Sequence, residues 1–153
     1  MFKKILLPVD GSLAAYRTAM AIASHFASVP DVKVTILLVT SPLETGETDW
    51  DEAYVRQRNI WMHKQAERVV AKVTELFISR GMAQEAKILE GDPVSTVIAH
   101  EARAGDYDLI AMGSRGMSMQ KDNLHYVGSV TEHVLRRVGI PVLVIPAHEG
   151  EMD

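Results

Sequence analysis

Short unbroken apolar runs alternate along this chain with longer stretches whose apolar residues recur at intervals of three and four. Runs of the first kind read as strands buried on both faces, and stretches of the second kind as helices with one buried face. Lys4 to Val9 is the first such run, and Val32 to Val39, rich in β-branched residues, is the second. Between them Asp10-Gly11-Ser12 is turn chemistry with Ser12 as the predicted N-cap. Behind that turn Tyr16, Ala19, Met20, Ala23, Phe26 and Ala27 fall on one helical face.

Ser41 to Asp49 is polar and acidic and carries Pro42 and Gly46, which predicts a loop. A long helix follows from about Asp51 to Arg80, with Ala66, Val69, Val70, Val73, Leu76 and Phe77 as its stripe and Gly81 as its stop. Ala86 to Glu90 reads as a third strand. Gly91-Asp92-Pro93 then opens a helix, with Asp92 as cap, Pro93 at the first helical position and Val94, Val97, Ile98 and Ala102 as the buried face. Asp108 to Gly113 is a fourth strand and Ser114 to Val127 an irregular stretch. Gly128-Ser129 opens a last helix with Val130, Val134, Leu135 and Val138 on its apolar face. Pro141 to Ile145 is a fifth strand, and the polar tail 147–153 reads as frayed. Five strands separated by helices predict an α/β fold, an open five-stranded parallel sheet with helices on both faces, Rossmann-like, in one domain over 1–153 with an ordered core of about 2–146.

Composition narrows the function classes. With 153 residues, 47% hydrophobic and 24% charged, the chain has the profile of a globular protein with a sizeable core. A net charge of -4 argues against a sequence-independent grip on nucleic acid, which needs clustered basic residues. It does not argue against a small anionic ligand, which a local cradle of backbone N–H groups can hold. The absence of cysteine excludes disulfides, thiolate nucleophiles and Cys-based zinc sites. Lys3 and Lys4 precede an apolar run, but that run holds only Ile5 to Val9 with Pro8 inside it, too short for a signal peptide. No apolar stretch reaches membrane-spanning length, so the expectation is a cytoplasmic protein with no membrane partner.

The candidate chemistry sits where strands end. In an open parallel sheet a ligand binds at the carboxyl ends of strands, where the strand order reverses. The first strand ends in Val9-Asp10-Gly11-Ser12 and the fourth in Met112-Gly113-Ser114-Arg115-Gly116. Gly113 and Gly116 allow close backbone approach and positive φ, and Arg115 can add a charge-assisted contact. Gly128-Ser129, opening the last helix, adds unpaired N–H groups, a hydroxyl and the positive end of a helix dipole, a combination suited to phosphate. Glycines at strand ends are also ordinary turn residues, and Asp10 reads equally as a turn or capping aspartate.

Asp108-Leu-Ile-Ala-Met-Gly-Ser-Arg-Gly116, Val127-Gly-Ser-Val-Thr-Glu-His-Val-Leu135, Pro141-Val-Leu-Val-Ile145 and the opening Ile5-Leu-Leu-Pro-Val-Asp-Gly-Ser12 together resemble the universal stress protein signature over nearly the whole chain. The resemblance implies a sheet of order 3-2-1-4-5, with the reversal between strands one and four. It further implies that phosphates of ATP, with Mg²⁺ or Mn²⁺, rest on Gly113, Gly116, Gly128 and Ser129, with Arg115 and Val130 beside them. Asp10 would lie near the ribose and adenine, and the base would meet the backbone at Pro8, Val9 and Val39 close to Met112. One departure is that residues 117–127 number eleven where the family's phosphate motif has nine, a two-residue insertion. The resemblance also makes Pro141 to Ile145 a dimer-forming edge strand, hence a homodimer.

Other polar residues offer less. His25, His63, His100, His125, His133 and His148 show no metal spacing, and His133 reads as a surface residue. Lys121 and His125 lie in the lengthened loop and read as solvated residues, while Trp50 and Trp61 read as partly buried structural residues. There is no Gly-x-Ser-x-Gly elbow around Ser114 and no Walker A lysine. A response-regulator receiver would need an aspartate ending strand three and a lysine after strand five, but Leu89-Glu90-Gly91 and Pro146-Ala147 stand there. The expected function is a nucleotide-binding regulatory module acting in stress response, with weak ATP hydrolysis at most. The alternatives are a dimeric scaffold of the same family that binds no nucleotide and, last, an adenylyl transferase.

Overall fold

Apolar runs without polar alternation form strands only if both faces are covered, and that is the arrangement adopted. The computed structural model describes residues 1–44, 46, 51–114 and 127–146. In it β1 (Lys4–Pro8), β2 (Lys33–Thr40), β3 (Ala83–Glu90), β4 (Leu109–Gly113) and β5 (Val142–Ile145) alternate with α1 (Leu13–Phe26), α2 (Glu52–Ser79), α3 (Val94–Ala104) and α4 (Ser129–Arg137). Every strand pair is parallel, and the sheet order is β3-β2-β1-β4-β5. The chain starts at the centre, runs to the β3 edge, then crosses back to place β4 on the other side of β1.

The two-residue period of the strands divides the core in two. Ile5, Leu7, Val34, Ile36, Leu38, Leu109 and Ala111 pack with α1 and α2, around Ile22, Val70, Val73 and the fully buried Phe77. Leu6, Leu37, Ile110 and Met112 pack with α3 and α4, around Ile98, Ala102, Tyr107 and Val134.

Several boundaries and faces differ from expectation. On α1 the buried centre is Ala15, Thr18, Ala19, Ile22 and Ala23, with Tyr16, Met20 and Phe26 on its margin and Ala27 exposed. Thr18 is polar but buried, and its hydroxyl donates to the Ala14 carbonyl at 2.9 Å, which makes its burial cheap. β3 begins at Ala83, three residues earlier than its apolar run, because it pairs residue by residue with β2 from Lys33 to Thr40. Asp92 does not cap α3: Pro93 is the extended N-cap residue, its carbonyl accepts from Thr96 at 3.1 Å, and Val94 is the first helical position. On α4 the buried residues are Thr131, Val134 and Val138, whereas Val130 and Leu135 are exposed. Asp51 does cap α2, accepting from the Tyr54 N–H at 2.7 Å, and Gly81 ends that helix with φ 69°. No helix among the described residues is long and apolar enough to cross a membrane.

Candidate functional site

β1 and β4 are paired only at Ile5–Leu109 and Leu6–Ile110. Beyond Leu6 the first strand keeps bonding to β2, through the Val9 N–H to the Leu37 carbonyl at 2.8 Å, while β4 continues along β5 to Gly113. The two central strands therefore part at their carboxyl ends, where the strand order reverses, and a cleft of about 280 Å³ opens there.

Pro8, Val9, Asp10, Val39, Met112, Gly113, Gly128, Ser129 and Val130 all line this cleft. Arg115 and Gly116, together with Lys121, His125 and the lengthened stretch except Val127, lie outside the described residues. Leu37, Val94, Ile98, Ala15 and Thr131 complete the lining and were not among the expected site residues. Their signal was present but indirect: Val94 and Ile98 share the inner face of α3, and Thr131 follows Ser129 and Val130 in the same first turn.

Part of the lining is apolar, made by Val39, Leu37, Met112 and Ile98. The rim opposite is polar and is built by the start of α4. The N–H of Gly128 donates to the Ser114 carbonyl, and the Ser114 N–H donates to Ile145 at 2.9 Å, so the segment entering α4 is tied to the ends of β4 and β5. The Thr131 hydroxyl donates to the Gly113 carbonyl at 2.8 Å and fixes the helix on β4. Intrahelical bonding starts with the Glu132 N–H to the Gly128 carbonyl, so the amides of Ser129, Val130 and Thr131 precede it. Gly128 is the cap and has no side chain to occupy those donors, and among the described residues no side chain caps them, an arrangement suited to an anion.

Gly128 has φ -60°, and Gly113 belongs to β4, so neither adopts the positive φ anticipated for the strand-four glycine. Positive φ occurs instead at Gly11 (84°), on the other lip of the cleft, where the chain turns from β1 into α1. Asp10 is exposed on that lip, and its Oδ1 accepts the Ser12 N–H at 2.9 Å, an Asx-turn geometry that shapes the lip. It is the one titratable side chain among the described lining residues.

His133 lies on the outer side of α4 but is not merely solvated: its Nδ1 is 3.2 Å from the hydroxyl of Ser95, a buried residue of α3. That contact joins the two helices behind the cleft. Trp61 is half exposed, with the Arg58 guanidinium stacked 4.5 Å from its ring centroid, so it is an exposed residue and not a buried prop.

Among solved structures the fold is closely shared. A hypothetical protein whose biochemical function was assigned from its structure in a structural-genomics test case is 27% identical, with a TM-score of 0.84 over 97% of this chain and 98% of its own. A universal stress protein family protein from Arabidopsis thaliana with AMP bound is 20% identical, with a TM-score of 0.72 over 99% and 95%. The universal stress protein from Archaeoglobus fulgidus in complex with dAMP is 20% identical, with a TM-score of 0.67 over 95% and 98%. None of the curated proteins matches the chain. The family model for universal stress proteins, however, matches residues 1–146, through the strand ends and the α4 turn that build the cleft, and the chain belongs to the universal stress protein family.

Proposed function

We propose that this protein is a regulatory module that binds an adenine nucleotide, ATP in the first place, in the cleft between β1 and β4. The observation that carries the reading is the open first turn of α4. Three backbone amides, capped by a glycine, face a cleft whose other wall is apolar. Such a site is divided as a nucleotide is divided, with phosphate on a helix N-terminus and a base against aliphatic side chains. The volume of about 280 Å³ suits a nucleoside portion, with phosphates extending over Gly113, Gly128 and Ser129. In this reading Asp10 stands beside the ribose, and Pro8, Val9 and Val39 border the base near Met112. Val130 contributes an amide to the phosphates, not its side chain. The AMP and dAMP held by the two fold relatives support the same ligand class here.

An accompanying Mg²⁺ or Mn²⁺ would arrive on the phosphate oxygens, with Asp10 the carboxylate on the described cleft wall. Hydrolysis is slow at most, since the side chains of that wall offer no dedicated general base to a water. The protein acts in stress response as a homodimer in the cytoplasm, the copies joined along the free edge of β5.

Protein purified without added nucleotide, denatured and run on an anion-exchange column should release near-stoichiometric adenine nucleotide. Protein stripped of it should melt higher with ATP and Mg²⁺, because a ligand of the native state adds stability. An empty trace with an unchanged melt would make the scaffold that binds no nucleotide the answer.

A further inference from the structure

The cleft between β1 and β4 takes part of its lining from two helices that are anchored to the sheet separately. α3 supplies Val94 and Ile98, and α4 supplies Ser129, Val130 and Thr131. Lys87 of β3 holds α3 by donating to the Glu101 carboxylate at 2.7 Å, whereas Thr131 holds α4 to β4 by donating to the Gly113 carbonyl at 2.8 Å. Between the helices the packing is apolar, with Ile98, Ala99 and Ala102 in one core cluster with Val134 and Val138. Apolar contact has no direction, and the short alanine side chains offer little to interlock, so packing alone fixes the register of the two helices weakly.

One directional contact crosses that interface. Ser95 Oγ lies 3.2 Å from His133 Nδ1, the single side-chain hydrogen bond between α3 and α4 among the described residues. It forms with either tautomer, the hydroxyl donating to a bare Nδ1 or accepting from Nδ1–H. Ser95 is buried, so its hydroxyl relies on this partner and not on bulk water. Ser95 directly follows Val94 and stands three residues before Ile98, while His133 stands three residues after Val130 and four after Ser129. The bond therefore lies within one helical turn of the cleft lining on both helices.

We infer that Ser95 and His133 are positioning residues for the ligand, their bond setting the distance between the apolar side chains of α3 and the open amides of α4. The inference rests on the nucleotide reading of the cleft, in which one ligand spans both, its nucleoside against aliphatic side chains and its phosphates on the amides. Such a ligand gains from both helices at once only when their spacing is held in advance. A ligand that meets the apolar lining alone is indifferent to that spacing.

The test titrates ATP, and separately adenosine, into nucleotide-free full-length protein in a calorimeter. Ser95→Ala should weaken ATP about threefold to tenfold, the usual worth of one hydrogen bond, and leave adenosine within about twofold. His133→Ala should do the same, and the double variant should lose no more than either alone, because both remove one bond. His133→Asn, whose amide nitrogen can stand in for Nδ1, should restore ATP to within about twofold of wild type. Alanine is a good helix former and His133 is exposed, so the variants should stay folded at the titration temperature. Equal ATP affinity in wild type and Ser95→Ala would overturn the positioning role and leave the nucleotide reading standing. Equal losses for ATP and adenosine, or additive losses in the double variant, would also overturn it. Wild type that binds no ATP would overturn the nucleotide reading, and this inference with it.

Discussion

A single hydroxyl decides how α4 meets the sheet. Thr131 is buried, and its Oγ1 donates to the carbonyl of Gly113, the last residue of β4. Thr131→Val keeps the shape and leaves that carbonyl without its donor. The expected loss is about 1–3 kcal/mol, read in a urea melt. Because the same bond sets the α4 amides against the cleft, the variant should also lose most of the ATP-dependent rise in melting temperature. An unchanged melt would mean that the carbonyl finds water and that the bond does not anchor the helix. Sequence alone did not single out Thr131, since a polar residue between Val130 and Glu132 reads as outward-facing until its acceptor is known. Gly113, Gly128 and Asp10 were legible because their residue types are restricted by backbone and charge. Their conformations differ from the expectation: neither glycine has a positive φ, and Asp10 closes a turn as well as lining the cleft.

At the scale of elements, strand and helix identities follow from periodicity, while the exact face of a helix follows from what it packs against. Val130, Val134, Leu135 and Val138 are all apolar, yet only the last helix's Val134 and Val138 reach α3 and the sheet. Val134 is fully buried, so Val134→Ala should cost about 2 kcal/mol, whereas Leu135→Ala, 44% exposed, should cost less than about 0.5 kcal/mol. Equal costs would put α4 in a different rotation. A second link ties β3, α3 and the turn before β4. Lys87 Nζ pairs with Glu101 at 2.7 Å, and the buried Tyr107 hydroxyl donates to the same carboxylate at 3.1 Å. The bond to Glu101 raises the Lys87 pKa, and burial raises that of Tyr107, from ordinary values of 10.5 and 10.0. Both groups hold their protons more tightly when folded, so their contribution is fully present below about pH 10 and lost as pH rises through the folded values. Melting temperature should therefore fall above about pH 10, and Glu101→Gln should melt lower at neutral pH but decline less steeply. A parallel decline in both proteins would remove Glu101 from the cause.

The whole molecule ends in an open edge, and its backbone geometry states what could close it. Pro141 and Ile145 give their carbonyls to Ile110 and Ser114, so alternate residues of β5 face β4. Val142 and Val144 then turn their N–H and C=O groups away from the sheet, on a strand with no further neighbour among the described residues in the order β3-β2-β1-β4-β5. β5 is half-buried and carries no charged residue, so only its shortness and the flanking Pro141 and Pro146 blunt the edge. The proposed homodimer would close it, with a second copy of the chain bonded along β5. The hydrophobic pattern showed the apolar strand; its place at an edge came from the family resemblance and not from the pattern, and the sheet order bears it out. Val144→Pro removes one outward donor and no bond to β4, a substitution that edge strands tolerate. Sedimentation equilibrium should find wild type at the dimer mass and Val144→Pro shifted toward monomer, with the far-ultraviolet circular dichroism of the fold retained. If the variant stays a dimer, the copies meet on another surface, and the exposed Val127, Val130 and Leu135 would be the next residues to change.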